Sequence, residues 1–94
     1  MEKIVLTFDN NESYLSGYSY GKRIFKEQVK NRINYNDDKI IIVFPSQIKL
    51  LTSSFIQGFF AEIHSKIGLE GIEKKIFIEN SGNNFKENII RNLI

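Results

Sequence analysis

The chain has 94 residues, of which 41% are hydrophobic and 26% charged, a composition typical of one small globular domain rather than a disordered segment. It contains no cysteine and one histidine, which excludes a disulfide framework, a thiolate zinc site, a cysteine nucleophile and a metal site built on two histidines. The formal net charge of +2, without a block of basic residues, gives no basis for expecting nucleic-acid binding.

The same inventory bears on catalysis and on location. With one histidine, no cysteine and no carboxylate pair at a meaningful spacing, the chain lacks the usual acid, base and nucleophile, so we expect neither an enzyme nor a metal or cofactor site. The longest unbroken apolar run, residues 40–44, is far shorter than the roughly 20 residues of a membrane-spanning helix. The first residues lack a signal-peptide cleavage pattern, so we expect a cytoplasmic protein that does not bind membranes.

Three short apolar runs alternate with three longer stretches of helical periodicity. In chain order they predict a strand over 3–8, a helix over 20–33, a strand over 39–44, a helix over 54–67 that ends at Gly68, a strand over 75–79 and a helix over 85–94. Residues 13–19 are expected to form a further short edge strand or a docked loop. The alternation favours a single α/β domain over 1–94, a small sandwich of a parallel or mixed sheet with helices.

Residues 40–60, IIIVFPSQIKLLTSSFIQGFF, place a buried strand, a short connection and a serine pair before an amphipathic helix. This layout resembles the STAS fold of anti-anti-sigma factors and, more closely, the STAS-like family of unknown function. The matching stretches are Tyr20-Gly21-Lys22-Arg23, the apolar run 40–44, Ser53-Ser54-Phe55 and Ile67-Gly68, within a likeness that is clearest over 17–94. The resemblance implies a STAS-like fold and a non-catalytic protein–protein interaction module in bacterial signalling or regulation.

The serine pair, Ser53 and Ser54, carries the regulatory implication. In STAS switch proteins the second serine is phosphorylated by a partner kinase with a histidine-kinase-like ATPase fold, and the corresponding residue here is Ser54. Thr52 stands where those proteins have aspartate, and Phe55 where they have glycine. The residues themselves also predict a helix cap, since Ser54 followed by Gln57 has the spacing of a capping box. The two roles are compatible, because a helix N-terminus favours a phosphate dianion.

One side of the second predicted helix carries small residues. Ser54, Gly58, Ala61 and Ser65 lie within about 60° of one another at 100° per residue, opposite the aromatic stripe. A solvated face would carry Lys and Glu, and Gly58 costs about 1 kcal/mol relative to alanine inside a helix. The strip is therefore interpreted as a docking surface for a partner helix or a second copy of the chain. The alternative is that another helix of the same domain covers it.

A second functional hypothesis is a domain that senses a small ligand or nucleotide at the carboxyl ends of the strands. Its candidate anion or ligand loop is Asn80, Ser81, Gly82 and Asn83, which follows the third predicted strand, where α/β sheets commonly bind ligands. The loop lacks the phosphate-loop lysine and the dinucleotide glycine pattern, so a simple turn with Asn84 as a helix cap is the alternative. His64 is interpreted as a partly buried side chain rather than a ligand.

Overall fold

The structure is a computed structural model that describes residues 3–80 and 85–94. Its elements, in chain order, are β1 (Lys3–Val5), β2 (Tyr14–Leu15), α1 (Tyr18–Gln28), β3 (Ile40–Val43), β4 (Leu50–Leu51), α2 (Ser53–Lys75), β5 (Ile76–Glu79) and α3 (Phe85–Leu93). The predicted α/β class is confirmed, with one compact unit that has a Cα radius of gyration of 12.1 Å.

The main sheet has three strands in the order β1-β3-β5, and both pairings are parallel. Ile42 at its centre lies opposite Ile4 on β1 and opposite Ile78 on β5. Helices α1 and α2 are the connections that parallel strands require. A separate parallel pair joins β2 to β4, which confirms the short edge strand expected near Tyr14. Strand β4 was not predicted, because two residues are too few to show an alternation.

The core lies between one face of this sheet and the helices. The side chains of Ile4, Ile40, Ile42 and Ile76 belong to one buried cluster, which also contains the buried apolar residues of all three helices. Phe44 lies at the aromatic centre of the cluster. Its ring centroid is 5.8 Å from that of Phe59 on α2 and 5.7 Å from that of Phe85 on α3. These contacts fix the helices to a single side of the sheet.

Helices α1 and α2 pack against each other at two glycines. A Cβ on Gly58 would overlap the carbonyl oxygen of Tyr18, and a Cβ on Gly21 would overlap the carbonyl oxygen of Phe55. Each glycine therefore admits the backbone of the other helix, an approach that no other residue type permits. The crossing brings the first turn of α1 against the first two turns of α2.

Helix α2 is longer than the sequence predicts. Gly68 has φ 70° and ψ 176°, so the helix is interrupted at the residue where the sequence predicts its end. The chain then resumes helical geometry up to Lys75, a continuation that the sequence did not predict. The buried side chain of Ile72 anchors this second stretch to the core. Helix α1 ends earlier than expected, at Gln28, with Val29 as its C-cap.

Candidate functional site

The side of the main sheet that faces away from the helices is the most unusual surface of the molecule. We call it the outer face; alternate residues of the three strands form it: Lys3, Val5, Ile41, Val43, Phe77 and Glu79. Val5 is 49% exposed and Phe77 is 40% exposed. Parallel sheets are normally covered on both faces, so exposed apolar side chains on this one need an explanation.

No helix packs on the outer face within the described ranges 3–80 and 85–94, since the buried residues of all three helices belong to the opposite cluster. Ile41 nevertheless is only 7% exposed, although it is outside that cluster. In the strand register it lies between Lys3 and Phe77. Lys3 Nζ also lies 3.1 Å from Glu79 Oε1, so this ion pair spans the central strand β3 and forms part of the cover of Ile41.

Phe77 is flanked by two cations. The ammonium of Lys39, which precedes β3, lies 4.8 Å from the ring centroid, and the ammonium of Lys86, on α3, lies 5.2 Å from it. Both distances are within the range of cation–π attraction. None of the ion pairs formed among the described residues uses either lysine. The outer face therefore combines apolar side chains with unpaired positive charge.

Lys86 is held at the border of this face by the backbone. Its ammonium donates to the carbonyl oxygen of Glu73 at 3.2 Å and to that of Ile76. Partial burial lowers the pKa of the Lys86 ammonium, and the nearby Glu73 carboxylate opposes that shift. Together these contacts fix one positive charge beside Phe77, where an approaching group would meet it.

The predicted serine site lies elsewhere, at the start of α2. The helix cap is Thr52 rather than Ser54, since Thr52 Oγ1 accepts from the amide of Phe55 at 3.3 Å. This corrects the capping-box prediction, because the N-cap position lies at Thr52, two residues before Ser54. Ser54 Oγ instead accepts from the amide of Gly17 at 3.2 Å and shares a hydrogen bond with Thr52. Ser53 is exposed on the first turn.

These hydroxyls join the starts of the two helices. Thr52 Oγ1 also approaches the carbonyl oxygen of Leu15 at 3.2 Å, so Thr52 and Ser54 together hold the segment that leads into α1. Gly17 occupies the N-cap position of α1 without a side-chain hydrogen bond to the helix. Its positive φ of 102° turns the chain into that helix. The Ser54 hydroxyl therefore stabilises the junction between the starts of α1 and α2.

The small-residue strip is partly closed by this packing. Gly58 is buried against Tyr18, so α1 occupies the position that the sequence assigned to a partner, and the docking interpretation is corrected at this residue. Gly58 and Ala61 line a groove of about 460 Å³ beside Lys22 and Lys26 of α1. Ser65 is exposed, and its hydroxyl donates to the Glu62 carbonyl at 2.8 Å. Docking at Ala61 and Ser65 stays a prediction.

The predicted ligand loop is only partly within the described residues, because Ser81, Gly82 and Asn83 lie outside them. Asn80 is described, and its amide nitrogen donates to the carbonyl oxygens of Phe44 at 3.2 Å and Pro45 at 2.7 Å. This side chain thus holds the chain that leaves β3. His64, expected to be partly buried, is exposed on α2. In the described part of the chain, no three acidic or histidine side chains are grouped to hold a metal ion.

The sequence analysis did not predict the outer face, although the sequence contains a signal for it. Residues 75–79, KIFIE, alternate in character, which places Phe77 and Glu79 on one side and Ile76 and Ile78 on the other. The continuous apolar run of β3 predicts burial on both faces. Only the topology shows that the second face has no helix against it in the described ranges.

Comparison of the chain with protein-family models, with curated proteins and with solved structures finds no match. Within the part of the chain that the structure describes, no helix has both the length and the apolar character needed to cross a membrane.

Proposed function

We propose that this chain is a non-catalytic, STAS-like protein interaction module whose outer face docks a partner protein. The supporting observation is a parallel sheet that carries its three helices on one side and exposes Val5 and Phe77 on the other. Because both faces of a parallel sheet are normally buried, the partner supplies the second layer. The resemblance to STAS-like domains supports the same class of function, regulation through protein contacts.

The proposed function does not require phosphorylation of Ser54. Its hydroxyl is half-buried and already accepts the Gly17 amide, so a kinase reaches it only after the start of α1 has moved away. Ser53, one residue earlier, is exposed. The partner kinase that the resemblance implies is one candidate for the protein that docks on the outer face.

The absence of cysteine in the chain allows a site-specific test that requires no knowledge of the partner. Val5→Cys places a unique thiol on the outer face, and Ser65→Cys places a matched thiol on the exposed side of α2. The measurement is the rate of thiol alkylation by a membrane-permeable maleimide, in the protein's own cells and in the purified protein. Melting curves of both variants serve as folding controls.

If a partner covers the outer face, alkylation of Val5→Cys is several-fold slower in cells than in the purified protein, while Ser65→Cys reacts equally in both. Equal rates for both thiols in both settings overturn the proposed docking face. Protection confined to Ser65→Cys also overturns it and assigns docking to α2, the surface that the small-residue strip predicts.

A further inference from the structure

We infer that the segment docked on the outer face is an amphipathic helix with acidic residues beside its apolar stripe. The inference rests on the docking function proposed above and specifies the partner's chemistry. Its basis is the combination of two half-exposed apolar side chains, Val5 and Phe77, with the lysines that surround them. The size of the face and its charge each point to this occupant.

The outer face has the dimensions of one helix. Three strands about 4.8 Å apart, with about four residues each at roughly 3.3 Å per residue, give an area of roughly 14 by 13 Å. An α-helix with its side chains is about 10–12 Å wide and covers that area.

The apolar anchors match the repeat of a helix. Val5 lies on β1 and Phe77 on β5, the two edge strands, two strand spacings apart and one pleat out of register. That separation is roughly 12 Å by strand geometry. Residues seven positions apart on a helix are about 10.5 Å apart on the same side. A stripe of this repeat that crosses the sheet diagonally contacts Val5, Val43 and Phe77 together.

The charge of the face selects an acidic occupant. Lys3, Lys39 and Lys86 lie on or beside the face. The described carboxylates near them are Glu79, which is paired with Lys3, and Glu73, which lies near Lys86 outside the face. A second copy would bring lysines against lysines, which is repulsive. Carboxylates beside the apolar stripe of a helix would instead meet Lys39 and Lys86, which form no ion pair among the described residues. Charge complementarity of this kind also speeds encounter.

The probe is a pair of synthetic peptides. One is a fluorescein-labelled 16-residue helix with leucines at the i, i+3, i+4 and i+7 positions and glutamates on both sides of the stripe; its twin carries lysine at each glutamate. Fluorescence anisotropy of each peptide is followed against the purified protein. We expect the glutamate peptide to bind at least tenfold more tightly than its twin and to weaken as salt rises, because the paired charges become screened.

Two double variants, changed by the same number of charges, locate the binding. Lys39→Glu with Lys86→Glu is expected to abolish or reverse the preference for the glutamate peptide. Lys22→Glu with Lys26→Glu, on the solvent side of α1, is expected to leave it unchanged. An equal loss in both double variants overturns the inference, since binding would then follow net charge alone.

The remaining outcomes separate this inference from the docking function. Equal binding of both peptides, lost in Phe77→Ala, overturns the acidic partner but leaves the outer face as a docking site. No binding of either peptide overturns the helical occupant, while cellular protection of Val5→Cys still decides docking. Concentration-dependent dimers of the purified protein that Phe77→Asp abolishes assign the face to a second copy and overturn the inference.

Discussion

Lys3 Nζ donates a hydrogen bond to Glu79 Oε1 at 3.1 Å, and this pair joins the two edge strands of the sheet above the central strand. Together with Phe77, which lies beside Ile41 in the register, it contributes to the burial of Ile41 on a face against which no helix packs in the described ranges. Both side chains remain about half exposed, so solvent screens their attraction. The pair is thus a weak cover, which a docking partner can displace at small cost.

This weakness leads to the first prediction. We expect Lys3→Met to change the free energy of unfolding by less than about 1 kcal/mol, and a double-mutant cycle with Glu79→Gln to give a coupling of similar size. Urea unfolding at low and high salt is the measurement, and the coupling should shrink with salt. A coupling well above about 2 kcal/mol would show a buried, rigid pair and contradict a displaceable cover.

The second prediction concerns the helix crossing. Gly58→Ala should destabilise the fold by about 3 kcal/mol, at the upper end of overpacking costs, or prevent folding. The reason is that the new Cβ overlaps the Tyr18 carbonyl oxygen and neither backbone can yield easily. The control is Ser65→Ala on the exposed side of the same helix, which should stay within about 0.5 kcal/mol of the parent. Urea unfolding followed by circular dichroism measures both. A Gly58→Ala protein as stable as its parent would show that α1 does not lie against this glycine.

The glycine at 58 also shows what the sequence can and cannot tell. Helical periodicity predicts a strip of small residues on α2, and the strip exists, but the pattern does not say which backbone fills it. The occupant is α1, whose own Gly21 completes the crossing from a position 37 residues earlier in the chain. Similarly, the run of β3 predicts burial on both faces, while its neighbours on the outer face are residues 3, 77 and 79, far away in the chain. Local sequence patterns predict the helices and strands and their order. Which of their faces are covered depends on contacts between residues that are distant in the chain.

The third prediction separates the three hydroxyls at the start of α2. Thr52→Ala removes the cap of α2 and the contact with the Leu15 carbonyl, and should cost about 1–2 kcal/mol. Ser54→Ala leaves the half-buried amide of Gly17 without its acceptor, at a cost of about 1 kcal/mol. Ser53→Ala should be nearly neutral, since that side chain is exposed.

Chemical denaturation of the three variants gives these free energies directly. A capping box centred on Ser54 makes a different prediction, in which Ser54→Ala is the most costly change and is coupled to Gln57→Ala. Because Gln57 is exposed, we expect no such coupling. Strong coupling would restore the capping box and move the start of the helix to Ser54.

The last prediction concerns alkaline pH. Burial raises the pKa of the Tyr20 phenol to about 12, and so does the hydrogen bond that its hydroxyl donates to Glu12 at 2.7 Å, together with the negative charge of that carboxylate. The unfolded chain loses this proton near its ordinary value of 10.0, whereas the folded chain keeps it. The contribution to stability is therefore fully present below pH 10.0 and is lost as the pH rises through about 12.

Two measurements check this assignment. Absorbance of tyrosinate against pH should show a late-titrating component from Tyr20 and Tyr35, which Tyr20→Phe reduces to the part from Tyr35. The fall in urea stability between pH 10 and pH 12 should be shallower in the same variant. Tyr35→Phe is the matched control, because burial also raises the pKa of Tyr35 to about 12 but without a hydrogen bond to Glu12. Glu12→Gln should then lower the pKa of Tyr20 and leave the pKa of Tyr35 unchanged. A shift of both pKa values by the same amount would mean that the Glu12 contact does not act on Tyr20 specifically.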